Sequence, residues 1–231
     1  MKKLKLLALS LLLATPMVIN AAGMGVYIPF NLTETENIDY DLGGSNEFEY
    51  KPSAGFGIAF DSNIGQDKLY NYRLGLEYSS AELDTVDGQT LPGTLTKDKF
   101  NIVNTFGFGV LRTKTVRLWV GPRINIQFEN GVYDDGVVYV EQDSFGIGLA
   151  AAAGVNVNLG RLVSLSADLD YHAVSIAGTE DGTVFGIPFS DDYTGTNKGV
   201  TARFYVLFRF GKEFQKPAAQ SADQGVVDPS L

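Results

Sequence analysis

The stretch TARFYVLFRFGKEF (residues 201–214) splits into two unlike halves when every second position is read. One half is Ala202, Phe204, Val206, Phe208 and Phe210; the other is Thr201, Arg203, Tyr205, Leu207, Arg209 and Gly211. Period two with two different faces is a β-strand between two different environments. In a water-soluble sheet the apolar face points inward. In a strand that crosses a bilayer it points out.

Seven earlier segments alternate in the same way, over residues 24–32, 48–60, 70–78, 100–110, 116–128, 145–157 and 163–173. The polar halves of the eight carry Lys51, Arg73, Arg117, Arg123, Arg203 and Arg209 against Glu47, Glu49, Glu77, Glu129, Asp168 and Asp170. Glycines stand between these charges and leave room for long side chains from other strands. Matched charges and missing side chains suit a narrow lumen better than a solvated face, so the apolar halves face lipid. Each run is close to the roughly 9–11 residues that carry a tilted strand across a bilayer. An open edge would leave unpaired backbone groups in hydrocarbon, so the strands must close. The expected fold is all-β: a closed, eight-stranded antiparallel transmembrane barrel, an up-and-down meander.

The rest of the chain fits that reading. Its start, MKKLKLLALSLLLATPMVINAAGM, has a Lys-rich head, a short apolar run and small residues at Ala21 and Ala22. This is the pattern of a secretory signal peptide over residues 1–22. The barrel is expected over residues 23–214, and the Pro-, Ala- and Gln-containing residues 215–231 read as a disordered periplasmic tail. The sequence has no Cys, so neither a disulfide nor a Cys-linked lipid is available. Of its 27 acids, sixteen fall in the segments that follow strands one, three, five and seven. The other connections are short and periplasmic. The net charge of -9 argues against a nucleic-acid partner.

With both termini in the periplasm, the outward aromatics gather at two rims. Phe30, Tyr50, Tyr78, Phe100, Phe128, Phe145 and Tyr171 form one; Phe60, Tyr70, Tyr72, Phe208 and Phe210 form the other. Interfacial aromatic girdles are the expected flanks of an apolar band.

On these patterns residues 23–214 resemble the small eight-stranded outer-membrane barrels of Gram-negative bacteria, of the outer membrane protein A and X type. The resemblance implies an outer-membrane location, contact with lipid and lipopolysaccharide, and insertion by the barrel-assembly machinery. It implies that Phe204, Val206, Phe208 and Phe210 serve as the assembly signal. In many such proteins the chain stops at that final Phe; here 21 residues follow it. That is too short for the peptidoglycan-binding domain of some relatives.

Three roles are open to this fold. The first is a structural or surface-interaction barrel whose lumen is filled by ion pairs among Glu49, Lys51, Arg73, Glu77, Arg117, Arg123, Glu129, Asp168, Asp170, His172, Arg203 and Arg209. Tyr27 and Tyr205 would stack across the closing seam, and Trp119 would fill further volume. The alternative is a channel for ions or small solutes; the outer membrane protein W type is thought to pass apolar molecules, but through an apolar interior. The third is a lipid A-modifying enzyme using His172 and Ser175. Their spacing of three puts them on opposite strand faces, so no catalytic residue, cofactor or metal is assigned. DDG (residues 134–136) and SDDYTG (residues 190–195) read as turns rather than Ca²⁺ loops. GTVFGIPFS (residues 182–190) reads as a hairpin reaching past the membrane, or as an apolar contact patch.

Overall fold

The computed structural model describes residues 23–62, 69–90, 93–160 and 162–210. Nine strands occur among them: β1 (Gly23–Tyr40), β2 (Ser45–Tyr50), β3 (Ser53–Asp61), β4 (Tyr70–Val86), β5 (Thr94–Arg112), β6 (Val116–Asp134), β7 (Val138–Leu159), β8 (Val163–Val184) and β9 (Ile187–Arg209). β2 and β3 follow one another between the same neighbours, β1 and β4, so the ring has eight staves. All neighbours pair antiparallel, and β1 on β9 closes the ring from Gly23↔Arg209 to Tyr40↔Tyr193. The expected signal peptide (residues 1–22) and tail (residues 215–231) lie outside the described residues.

Seven staves run 17 to 23 residues as single strands, well beyond what a bilayer needs. The surplus lies at the end away from Gly23 and Arg209, here the far end; the termini mark the near end. β8 shows what happens along one stave. Its inward residues begin Ser164, Ser166, Asp168, Asp170 and continue Val174, Ile176, with Glu180 nearer the tip, while its outward residues begin Leu165, Leu169, Tyr171 and continue Ser175, Thr179, Asp181. The facing never changes, but the polarity of both faces swaps. Lipid surrounds the near half and water the far half, so the apolar residues move from the outside to the inside.

On two neighbouring staves the facing changes as well. In β1 both Leu32 and Thr33 are exposed between inward Asn31 and Glu34, and the register with β9 shifts there. On the next stave Lys51 and Pro52 are both exposed between inward Tyr50 and Ser53. The two irregularities lie side by side, since Glu34 pairs with Tyr50 and Asn31 with Ser53. Each inserts one residue, and one residue flips every side chain beyond it. Unbroken alternation over residues 48–60 therefore misplaces four residues, of which Phe48, in the inner apolar cluster, points inward. Tyr50 is 5% exposed and points inward, not to the girdle. Glu49 and Lys51 point out: Thr85 Oγ1 donates to Glu49 at 3.0 Å, and Lys51 donates to Glu82 at 2.6 Å. Outside, Phe56 packs on Tyr78 at 5.7 Å, the level at which Tyr50 was expected.

The other outward aromatics form cross-strand contacts. At the far rim these are Phe30 with Phe204, and the row Phe100–Phe128–Phe145, with Tyr171 exposed beside them. At the near rim Tyr70 packs on Phe108 and Tyr72 on Phe106, with Phe60, Phe208 and Phe210 also outward.

Glycine sets the inner volume where Tyr27 sits. A Cβ on Gly57 would lie 2.3 Å from the Tyr27 ring, and one on Gly75 would lie 2.6 Å from its hydroxyl. Gly57→Leu should therefore lower stability by about 1–3 kcal/mol through overpacking. Urea unfolding in liposomes would read it as a lower midpoint, partly restored when Tyr27→Ala is added; an unchanged midpoint would contradict this packing.

Candidate functional site

The interior is filled in three storeys. Nearest the termini, Tyr27 stacks on Tyr205 at 4.6 Å across the β1–β9 seam, and the Arg73 guanidinium lies 4.3 Å from the Tyr205 ring and 5.9 Å from Trp119. Arg73 Nε donates to Asp61 at 2.8 Å. Arg123 donates Nη2 to Asp168 at 3.0 Å, Nη1 to Asp170, and Nε to Thr105 at 2.8 Å. Arg203 Nε donates to Glu77 at 2.8 Å, and its Nη1 donates to Asp170. All these charged groups are buried. A charge this deep is tolerable only when paired and hydrogen-bonded, and the planar fork of arginine satisfies two carboxylates at once.

The second storey is built from lysine. Lys97 donates to Glu36 and lies 3.6 Å from Glu129; Lys99 pairs with Glu34 and lies 3.5 Å from Glu129. Tyr50 donates its hydroxyl to Glu36 at 3.0 Å, Asn197 donates to Glu36 at 2.9 Å, and Ser144 donates to Glu129 at 2.7 Å. Between these two storeys lies a cavity of about 20 Å³, bordered by Glu34, Glu77, Lys99, Asn101, Asn125 and Arg203. It has room for a single water, which would meet the otherwise unpartnered carboxamide oxygens of Asn101 and Asn125.

The third storey is apolar. Ile38, Phe48, Tyr50, Ala81, Leu83, Leu95, Val174, Ile176 and Tyr193 form one buried cluster, with Tyr40, Val86 and Tyr133 against it. Beyond it the hairpins project. Burial and the nearby Glu180 carboxylate raise the Tyr40 hydroxyl above its ordinary range. At the tip after β6, the Val137 and Val138 N–H groups donate to Asp135 at 2.8 and 2.7 Å and lower its carboxyl. The DDG segment is thus a turn, as expected, and residues 182–190 do form a hairpin through Phe185 and Gly186.

Of the charges expected inside, Glu47, Glu49 and Lys51 are outside. Arg117 and Arg209 reach the near mouth and donate to main-chain carbonyls, Leu69 O at 3.3 Å and Gly160 O respectively. His172 is half-buried, with Nδ1 3.2 Å from Asp170; Ser175 is on the opposite face. Sequence reasoning missed Asp61, Glu34, Glu36, Lys97 and Lys99. The first three were read as parts of connections. A signal for the rest exists in TLTKDKFN (residues 94–101), where Leu95, Lys97, Lys99 and Asn101 already alternate.

A closed ring of eight antiparallel staves with an apolar waist and a charged interior is the fold of the outer-membrane β-barrels. Solved structures agree. The outer membrane protein OprG of Pseudomonas aeruginosa superposes with a TM-score of 0.58 at 13% identity, over 83% of this chain and 97% of that one. Weaker matches include the outer membrane protease OmpT of Escherichia coli (TM-score 0.47, 8% identity, 81% and 97% covered) and Neisserial surface protein A (0.40, 15%, 81% and 97%). At such identities the likeness is one of fold. No family model and no curated protein sequence matches the chain.

Lys97→Met would leave Glu36 without its direct cation and should destabilise the barrel by about 3–5 kcal/mol. The pair Lys97→Met with Glu36→Gln should recover a large part in a double-mutant cycle of urea unfolding. Equal stability of Lys97→Met and the parent would contradict a paired interior.

Proposed function

We propose that this is a structural and surface-presenting barrel whose lumen does not conduct, oriented with both chain termini at the periplasm and the far hairpins outside the cell. The observation that supports this reading is the succession of fillings along one axis. A solute would have to part an arginine–carboxylate layer, then a lysine–glutamate layer, then an apolar cluster. A cavity that holds one water is not a path. Lipid and lipopolysaccharide would contact the outward apolar band, and the insertion machinery would read Phe204, Val206, Phe208 and Phe210 on β9.

The channel alternative predicts a barrier that one arginine controls. The opposition of His172 and Ser175 gives the lipid A-modifying alternative no paired base and nucleophile. The test is conductance of the refolded barrel in a planar bilayer, with folding checked by its gel shift on boiling. The parent and Arg123→Ala should both be silent, since the two outer layers do not involve Arg123. Stepwise currents from the parent would overturn the reading. Steps appearing in Arg123→Ala alone would assign the whole barrier to the arginine layer.

A further inference from the structure

The far extension of β7, β8 and β9 has features that neither the lumen nor the membrane explains. Over residues 130–145 and 173–197 the chain has eight carboxylates and no Lys or Arg. On the outward face Glu141 stands directly opposite Asp181, both exposed, and Asp192 is exposed on β9; Glu180 and Asp191 pair on the inward face, where Tyr40 and Gln142 donate to Glu180. Like charges placed directly across strands destabilise a sheet. Above this acidic face the residues are apolar. Phe185 is 82% exposed at the tip, Ile187 70%, and Val137 and Tyr139 border them from the neighbouring hairpin.

Phe185 is also in the wrong backbone conformation for its type. Its φ is +50° and that of Gly186 is +76°. A two-residue hairpin turn with both φ positive favours Asn-Gly or Asp-Gly, and a bulky residue there is an outlier. The chain therefore holds an aromatic ring in water, at a strained position, over unneutralised carboxylates. Strain of this kind points toward function.

The chemistry narrows the occupant. Nucleic acid, sulfated polysaccharide and anionic lipid would be repelled. A purely polar polycation would leave Phe185 and Tyr139 without purpose. Strand addition is also blunted: among the described residues β9 has no strand partner on its open side from Ile187 to Asp192, but Pro188 there has no N–H, and the Asp192 carbonyl already accepts the Asp41 N–H. Recognition falls to side chains. Among the described residues, the one carboxylate group close enough to hold a metal, Glu34, Glu36 and Glu129, is inside the lumen and answered by Lys97 and Lys99.

We propose that Tyr139, Phe185 and Pro188, together with Glu141, Asp181 and Asp192, form a docking surface for a cationic polypeptide that carries aromatic or aliphatic side chains. Positive charge relieves the Glu141–Asp181 pair, and apolar side chains cover the tip. Charge steers the encounter, and the aromatic contact holds it.

This inference rests on the surface-presenting reading above. Its test uses the full barrel in phosphatidylcholine nanodiscs and a labelled twelve-residue peptide of alternating Lys and Trp. Lys/Ser and Glu/Trp peptides and empty discs serve as references. The Lys/Trp peptide should bind barrel discs more tightly than empty discs and than either other peptide does. Its affinity should fall at least tenfold in Glu141→Gln/Asp181→Asn. It should fall as far in Phe185→Asn, whose Asn suits the turn and keeps the hairpin folded. Binding no tighter than to empty discs, or unaffected by both variants, would overturn the proposal. So would self-association of the barrel that Phe185→Asn abolishes without any peptide binding, which would assign the patch to a second copy. Silent bilayers with no peptide binding would remove this inference alone; conductance steps would remove the parent reading whatever the peptide does.

Discussion

The structure depends on a change of solvent along each strand. Backbone groups in hydrocarbon must all be paired, which forces closure. A closed eight-stranded ring has an interior just wide enough for side chains. While lipid surrounds the ring, its outer face is apolar and its inner face takes the polar groups. Once the staves emerge into water the same rule acts in reverse, as in any soluble β-structure. β8 makes the exchange within a few residues, from Asp170 inside and Tyr171 outside to Ile176 inside and Ser175 outside.

This exchange explains the order of the fillings. Inside the lipid-clad half the available interior groups are charged, so they must be matched closely: Arg73, Arg123 and Arg203 divide Asp61, Glu77, Asp168 and Asp170. Near the exchange level lysine replaces arginine, with Lys97 and Lys99 answering Glu34, Glu36 and Glu129. Past it, Ile38, Leu83, Leu95 and Ile176 pack as a small soluble core. Three kinds of interior thus follow from one boundary, and the proposed closed lumen is their sum.

The same boundary decides what could be read from the sequence. Closure, stave number and the direction of the apolar faces were legible wherever one solvent lasts over a whole strand, as in residues 201–214. Glu47, Phe48, Glu49, Tyr50 and Lys51 were misplaced because an inserted residue at Lys51–Pro52 leaves no trace in a count of hydrophobic positions. Glu34 and Glu36 read as loop acids because their outward neighbours Thr33 and Thr35 are polar, which is what a strand in water requires. Lys97 and Lys99 escaped for the same reason, with Asp98 and Thr96 outward. A strand that continues beyond lipid loses the apolar face by which it was recognised.

The sharpest test is a map of which side of the boundary each β8 residue occupies. The chain has no Cys, so one introduced Cys carries a unique spin label. Labels would be placed through Leu169→Cys, Tyr171→Cys, Ser175→Cys and Thr179→Cys in the refolded barrel in liposomes. Collision with oxygen should dominate at 169 and 171, and collision with a water-soluble nickel complex at 175 and 179. Oxygen-dominated labels at 175 and 179 would mean that lipid covers the far half and that the exchange of faces is not a membrane boundary.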